Sequence, residues 1–343
     1  MHVGLITAKE KVEIQEFDNP TPPPGGVVVD ISYCGICGTD VHAYKSGDPY
    51  PPSVCGHEWA GTVSRICNSA KGFKEGDRVV VGVPPSCGKC DACYAGNYRY
   101  CLTTFLVARG RDELAPNHGG FAPHIPVGTN RLIKTNSELT DIQAAQVEPT
   151  TIALHAVNRT SPELGITALI IGAGPIGLIV QQWANICGAN QTIVIEPSKI
   201  RRELAQKTGA TITATPDNSV EIVNEYTRGL GADAVFECAG LPGTIQTSVD
   251  LCRRGGKVCL VGLSNELATI NPGIWLKKEV TVVTSMAYLH DEFEVAMGMI
   301  ADGRISVDSM HSSTVGLSDL DGALTELGDS NTNQTKILVD PNK

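Results

Sequence analysis

The feature that most restricts the fold is a change of rhythm near Thr167. From there, short apolar segments at 168–172 (ALIIG), 192–196 (TIVIE), 211–214 (TITA), 233–238 (DAVFEC) and 257–262 (KVCLVG) alternate with helix-length stretches. Those stretches span 175–188, 198–208, 219–228 and 242–253. Strands without a polar face must be covered on both sides, and the intervening helices supply the cover. The pattern predicts an α/β fold with a doubly wound parallel sheet. Before Thr167 the chain reads differently. Alternating or apolar runs at 27–31, 61–66 and 78–83 lie between Pro- and Gly-rich turns at 20–26 and 49–52, which predicts a β-rich domain over 1–150. A helix over 291–301 and a last strand at 336–339 are expected to lead back to that domain. At 343 residues the chain can bury two cores.

Charge and apolarity remove several function classes. Lys plus Arg number 27 against 37 Asp plus Glu, a formal charge of −10, so no basic surface is available for a nucleic-acid backbone. The most apolar stretch, 166–180, is too short to span a bilayer and contains three glycines, so no membrane partner is expected. The opening MHVGLITAKEKVEIQEF alternates like a strand and carries charges, unlike a secretory signal. A cytoplasmic protein is expected, whose 12 cysteines stay reduced. Their spacing must therefore have another cause.

Cys87, Cys90 and Cys93 recur at steps of three, and Cys101 follows eight residues later. Four thiolates in one loop can surround a Zn²⁺ tetrahedrally at about 2.3 Å and leave no position for substrate, which is the pattern of a structural zinc. An iron–sulfur cluster is the other occupant of a four-cysteine site. A second set is dispersed: Cys37 in CGICGTDVH, His57 and Glu58 in GHEWAG, and Glu148 in VEPTT. One sulfur, one imidazole and a carboxylate suit zinc and leave a coordination position open for catalysis. The third constellation is Gly172-Ala-Gly174-Pro175-Ile176-Gly177, between a predicted strand and a predicted helix, with Glu196 ending the next strand 19 residues after Gly177. This context marks a dinucleotide site, where glycines let a pyrophosphate approach the helix N-terminus. Glu196 can accept hydrogen bonds from ribose hydroxyls and repels a 2′-phosphate, which favours NAD. Lys199, Arg201 and Arg202 follow closely and keep NADP open.

These motifs, in this order and over essentially the whole chain, resemble the zinc-dependent medium-chain dehydrogenase family. KEGDRVVV (74–81) and the VGL turn at 261–263 add to the likeness. The resemblance implies a GroES-like catalytic domain over 1–150 carrying a zinc lobe at 84–104. A Rossmann domain over 151–288 and a return to the catalytic domain over 289–343 complete the arrangement. It implies two zinc ions per chain: a catalytic one on Cys37, His57 and Glu148, with Glu58 as a further donor, and a structural one on Cys87, Cys90, Cys93 and Cys101. Glutamate at 148, where liver-type alcohol dehydrogenases carry cysteine, resembles the sorbitol and butanediol branch. The implied reaction is hydride transfer between NAD and a secondary alcohol, diol or polyol. A primary alcohol dehydrogenase and a non-catalytic zinc module are the alternatives.

By the same resemblance, Thr39 and His42 match a proton relay, although Thr39 is also placed to cap a helix starting at Asp40. Arg201, Cys238, Gly262 and Ser285 are expected to contact the cofactor. Tyr44, Trp59 and Tyr288 are candidates near the substrate by neighbourhood. The partners implied are a small alcohol or carbonyl compound and further copies of the chain, as homodimer or homotetramer, meeting near strand 280–286.

Overall fold

The computed structural model describes residues 1–48, 51–135, 137–329 and 331–343. The expected turn at 49–52 falls partly outside them. Two units form, each around its own core: Met1–Glu148, Ala287–Gly303 and His311–Lys343 make the first, and Pro149–Met286 with Arg304–Met310 the second.

The first unit begins with an antiparallel pair, β1 (His2–Ala8) and β2 (Lys11–Glu16). The long strand β3 (Gly26–Gly35) follows, then β4 (Glu58–Ile66), β5 (Arg78–Val81), β6 (His124–Gly128) and β7 (Leu132–Lys134). Alternate residues of a strand face one way. Val27, Val29 and Ile31 of β3 therefore enter one core with Val63, Val79, Val81 and Leu132.

In the second unit, β8 (Thr167–Ile171), β9 (Gln191–Ile195), β10 (Ile212–Ala214), β11 (Ala232–Glu237), β12 (Cys252–Leu260) and β13 (Thr281–Thr284) form a parallel sheet. Its order is β10-β9-β8-β11-β12-β13. All five residues of β8 are buried, as the absence of polar alternation required. The chain winds outward from β8 through β9 to β10, then crosses back to β11, which puts a switch point beside β8. Helices Pro175–Ile186, Lys199–Lys207, Ser219–Thr227 and Pro242–Leu251 are the crossovers. A further helix, Pro272–Lys278, had no periodicity long enough to announce it. Its signal is local: Asn271 accepts from the Ile274 amide, and Pro272 opens the first turn.

The chain then returns to the first unit. β14 (His311–Gly316) pairs in parallel with β15 (Lys336–Asp340), and β15 pairs antiparallel with β3, where Leu338 faces Gly35. The resulting sheet runs β14-β15-β3-β4-β5-β7, with β6 also on β3. Among the described residues no helix is long and apolar enough to cross a membrane.

Candidate metal and nucleotide sites

In the first unit the turn after β3 carries Cys37, and the segment entering β4 carries His57 and Glu58. Ligand atoms of these three lie within 4.8 Å of one another. Asp40, which the sequence reading passed over, ties the two segments together. One of its buried carboxylate oxygens accepts from the Cys37 amide at 2.9 Å and the other from the Gly56 amide at 3.0 Å. His57 Nδ1 lies 2.7 Å from the Val54 carbonyl, an acceptor only. That contact puts the proton on Nδ1 and leaves Nε2 as a metal donor. Burial alone would depress the ring's pKa, but Cys37, Asp40 and Glu148 hold it well above the usual value. A pocket so rich in negative charge, with sulfur, nitrogen and oxygen donors converging, fits a divalent cation.

Glu58 has a second partner from far along the chain. Lys336, at the start of β15, pairs with Glu58 and also donates to the Ile36 carbonyl at 3.0 Å. Both side chains are 2% exposed. Gly35 makes this possible, since a Cβ there would lie 2.3 Å from Glu58 Oε2. Burial works against the ammonium, yet Glu58, Cys37 and Glu148 outweigh it and raise the Lys336 pKa.

Glu148 is not one of the converging three. It is buried in the first turn of helix Val147–Thr160 and is hydrogen-bonded by the Tyr288 hydroxyl. Desolvation lifts its pKa to about 7, against the opposing pull of His57. Thr39 does not cap a helix. The helix Gly38–Ser46 starts two residues earlier than expected, with Cys37 at its cap, so Thr39 lies in the first turn and its hydroxyl donates to Cys37 Sγ at 3.0 Å. His42 is half-buried on the same helix.

The four-cysteine run closes on itself. Ligand atoms of Cys87, Cys90, Cys93 and Cys101 lie within 4.8 Å of one another, and Cys90 and Cys93 sulfurs are 3.6 Å apart. Sulfurs at tetrahedral corners about 2.3 Å from an ion stand roughly 3.8 Å apart, so the spacing fits zinc. Burial pushes the Cys101 thiol up, but hydrogen bonds from the Cys87 and Thr104 amides prevail and bring it down to about 5.

In the second unit the expected nucleotide residues follow strand ends on one edge of the sheet. Gly172 to Gly177 follow β8, Glu196 follows β9, Cys238 follows β11, Gly262 lies two residues past β12, and Ser285 follows β13. Gly172 has φ 97°, open to glycine and to few others. A Cβ on Gly177 would stand 1.9 Å from the Gly172 carbonyl oxygen, so helix and turn meet only because it is absent. Gly174 is different. A Cβ there would meet nothing within 4 Å, so open space lies before the helix that Pro175 and Ile176 begin. This arrangement fits a pyrophosphate. Glu196 is buried and does more than the motif suggests: its carboxylate accepts from the Ala173 amide at 2.7 Å and the Ser198 amide at 2.9 Å, bracing the glycine turn. Arg202 donates to the carbonyls of Glu196 and Pro197, and the Arg201 amide donates to Ser198 Oγ.

Over residues 23–137 the chain matches the alcohol dehydrogenase GroES-like domain, and over 175–302 the zinc-binding dehydrogenase family. A 2-dehydro-3-deoxy-L-galactonate 5-dehydrogenase of Pseudoalteromonas atlantica is 33% identical, covering 100% of this chain and 99% of the relative. The (R,R)-butanediol dehydrogenase of Bacillus subtilis is 31% identical, covering 97% and 98%. The crystal structure of 2R,3R-butanediol dehydrogenase from Bacillus subtilis aligns with TM-score 0.85 and 29% identity over 99% of both chains. Two matched domains in this order, with full-length relatives above 30% identity, make the chain a member of the zinc-dependent medium-chain dehydrogenase family, an oxidoreductase of the alcohol dehydrogenase type.

Proposed function

We propose that the chain interconverts secondary alcohols, diols or polyols and their ketones, with NAD as hydride acceptor. The observation that carries this reading is the donor set of Cys37, His57 and Glu58, with its imidazole held in the tautomer that frees Nε2. A zinc ion there would act as a Lewis acid on the substrate oxygen and ease loss of its proton. Cys37 and His57 would hold the ion, and Glu58 or Glu148 would complete the set. Thr39, already bonded to Cys37 Sγ, is placed at the donor set with a hydroxyl that both donates and accepts. It can hand a proton towards His42, three residues further along the same helix. Cys87, Cys90, Cys93 and Cys101 would hold a second zinc that stabilises their lobe.

Selection of NAD rests on Glu196, a buried negative charge beside the glycine turn that disfavours a 2′-phosphate. Arg202, which could have offset it, is engaged with backbone carbonyls. The (R,R)-butanediol and deoxygalactonate enzymes named above each act at a secondary alcohol, which supports the substrate class. We further propose a cytoplasmic homodimer or homotetramer. The free cysteines suit a reducing compartment, and β13 is an open sheet edge with exposed Leu276 and Met286 nearby. The test is NADH formation from a panel of secondary alcohols, diols and alditols, run with NAD and NADP in parallel. Zinc-dependent turnover favouring NAD is expected; zinc-loaded protein that reduces neither cofactor would overturn the reading.

A further inference from the structure

Two buried glutamates stand at strand ends of the parallel sheet in the second unit. Glu196, just past β9, braces the glycine turn. Glu237, the last residue of β11, is 1% exposed and takes no part in that brace. A buried carboxylate persists where donors surround it. One oxygen of Glu237 accepts from the Ala239 and Gly240 amides at 3.0 Å each and from the Thr244 hydroxyl at 2.8 Å. Its main-chain carbonyl accepts from the Val261 and Gly262 amides, both at 2.9 Å. One residue therefore holds both the loop after β11 and the loop after β12.

The two loops also meet directly. A Cβ on Gly240 would stand 2.6 Å from the Leu263 carbonyl oxygen, and one on Gly262 would strike the Gly240 backbone and lie 2.7 Å from Glu237 Oε2. The first loop reaches the glycine turn as well. The Cys238 amide donates to the Ile171 carbonyl at 2.8 Å, and a Cβ on Gly172 would lie 3.0 Å from the Ala239 nitrogen. An amide that Glu237 fixes is thus packed against the turn that fits a pyrophosphate. Dinucleotides lie across the switch point of such a sheet, one nucleotide over each half. Glu196 stands on the β9 side of β8, while β11 and β12 lie on the other side. Ala239, Leu241 and Leu263 are exposed on the two loops and offer apolar surface to a flat ring.

On the reading under Proposed function, we infer that Glu237 is a positioning residue for the nicotinamide half of the cofactor. Being buried, it acts through the backbone it holds, joining the two loops into one ledge beside the glycine turn.

The test compares NADH with AMP, which carries the adenosine half alone, as ligands of the zinc-loaded full-length enzyme. Dissociation constants come from NADH fluorescence and from calorimetry. Glu237→Gln keeps the side-chain length but removes the charge that the loop amides and the hydroxyl face. The Kd for NADH should rise about tenfold, while that for AMP should change by less than about twofold. Thr244→Val removes one donor and leaves the carboxylate in place. It should raise the ratio of the NADH Kd to the AMP Kd about threefold, a readout that stands if Glu237→Gln fails to fold. Equal loss for both ligands, or an unchanged ratio in either folded variant, would overturn the role of Glu237 and leave the proposed function intact. A parent enzyme that binds neither NADH nor NADPH would overturn both.

Discussion

Two clusters in the first unit offer a metal ion its donors, and they are built on opposite plans. Cys87, Cys90, Cys93 and Cys101 come from fifteen consecutive residues and offer sulfur alone, four donors that suffice to fill a tetrahedral sphere. Cys37, His57 and Glu58 come from the turn after β3 and the entry to β4, and depend on Asp40 and on Lys336, nearly 300 residues further on. A local, closed site can be made by its own loop and returns its binding energy to that loop's folding. A site assembled from distant strands is held by the sheet whether or not an ion is present, so its donors can leave a position for chemistry.

That contrast is open to direct attack. The largest effect should come from Cys37→Ser or His57→Ala, which ought to lower turnover by at least about a thousandfold, roughly 4 kcal/mol of barrier, with little change in the melting curve. Retained activity would remove these residues from the metal site. Cys93→Ser should do the reverse. Structural zinc contributes about 10 kcal/mol or more in isolated zinc peptides, so the lobe should lose its ion and become open to proteolysis, with loss of stability exceeding loss of chemistry. A variant as protease-resistant as the parent would contradict the four-thiolate reading.

Lys336→Met probes the long-range support. It leaves Glu58 buried without its ammonium partner, a change that costs about 3–5 kcal/mol in denaturant melts. Added zinc should recover part of that loss, because the ion replaces the missing positive charge; no recovery would separate Glu58 from the ion. The smallest effect concerns pH. His118 adjoins the Cys55–His57 segment through Gly119 and Gly120, and burial depresses its pKa below that of the unfolded chain. The unfolded chain then binds more protons as pH falls below about 6.5, so stability is lost on acidification through that window. His118→Gln should flatten this part of the profile of melting temperature against pH, and an unchanged slope would assign it elsewhere.

The same contrast explains what could be read from the chain. Local periodicity announced β8, β9, β11 and the crossover helices, and local spacing announced the four-cysteine loop and the glycine turn. The Cys37 and His57 motifs were legible because each sits in a short Gly-rich signature. Their supports were not. Nothing near Lys336 marks it as a buried cation, because its role exists only once β15 pairs with β3 opposite Gly35. Asp40 reads as an ordinary first-turn acid until its second oxygen meets the Gly56 amide. Thr39 was offered two roles, and capping failed because the helix starts at Gly38. The resemblance offers both Glu148 and Glu58 as carboxylate donors; the Glu58 carboxylate lies with Cys37 and His57, and Glu148 is hydrogen-bonded by Tyr288. Carboxylate choice among neighbours is a matter of tertiary placement that no spacing encodes.

The most direct test is zinc content measured with turnover on three proteins: the parent, Cys37→Ser and Cys93→Ser. Two independent sites require about two ions in the parent and about one in each variant, with turnover lost outright in Cys37→Ser. A parent that binds a single zinc, or a Cys37→Ser protein that keeps two and still reduces NAD, would contradict the division of labour between the clusters.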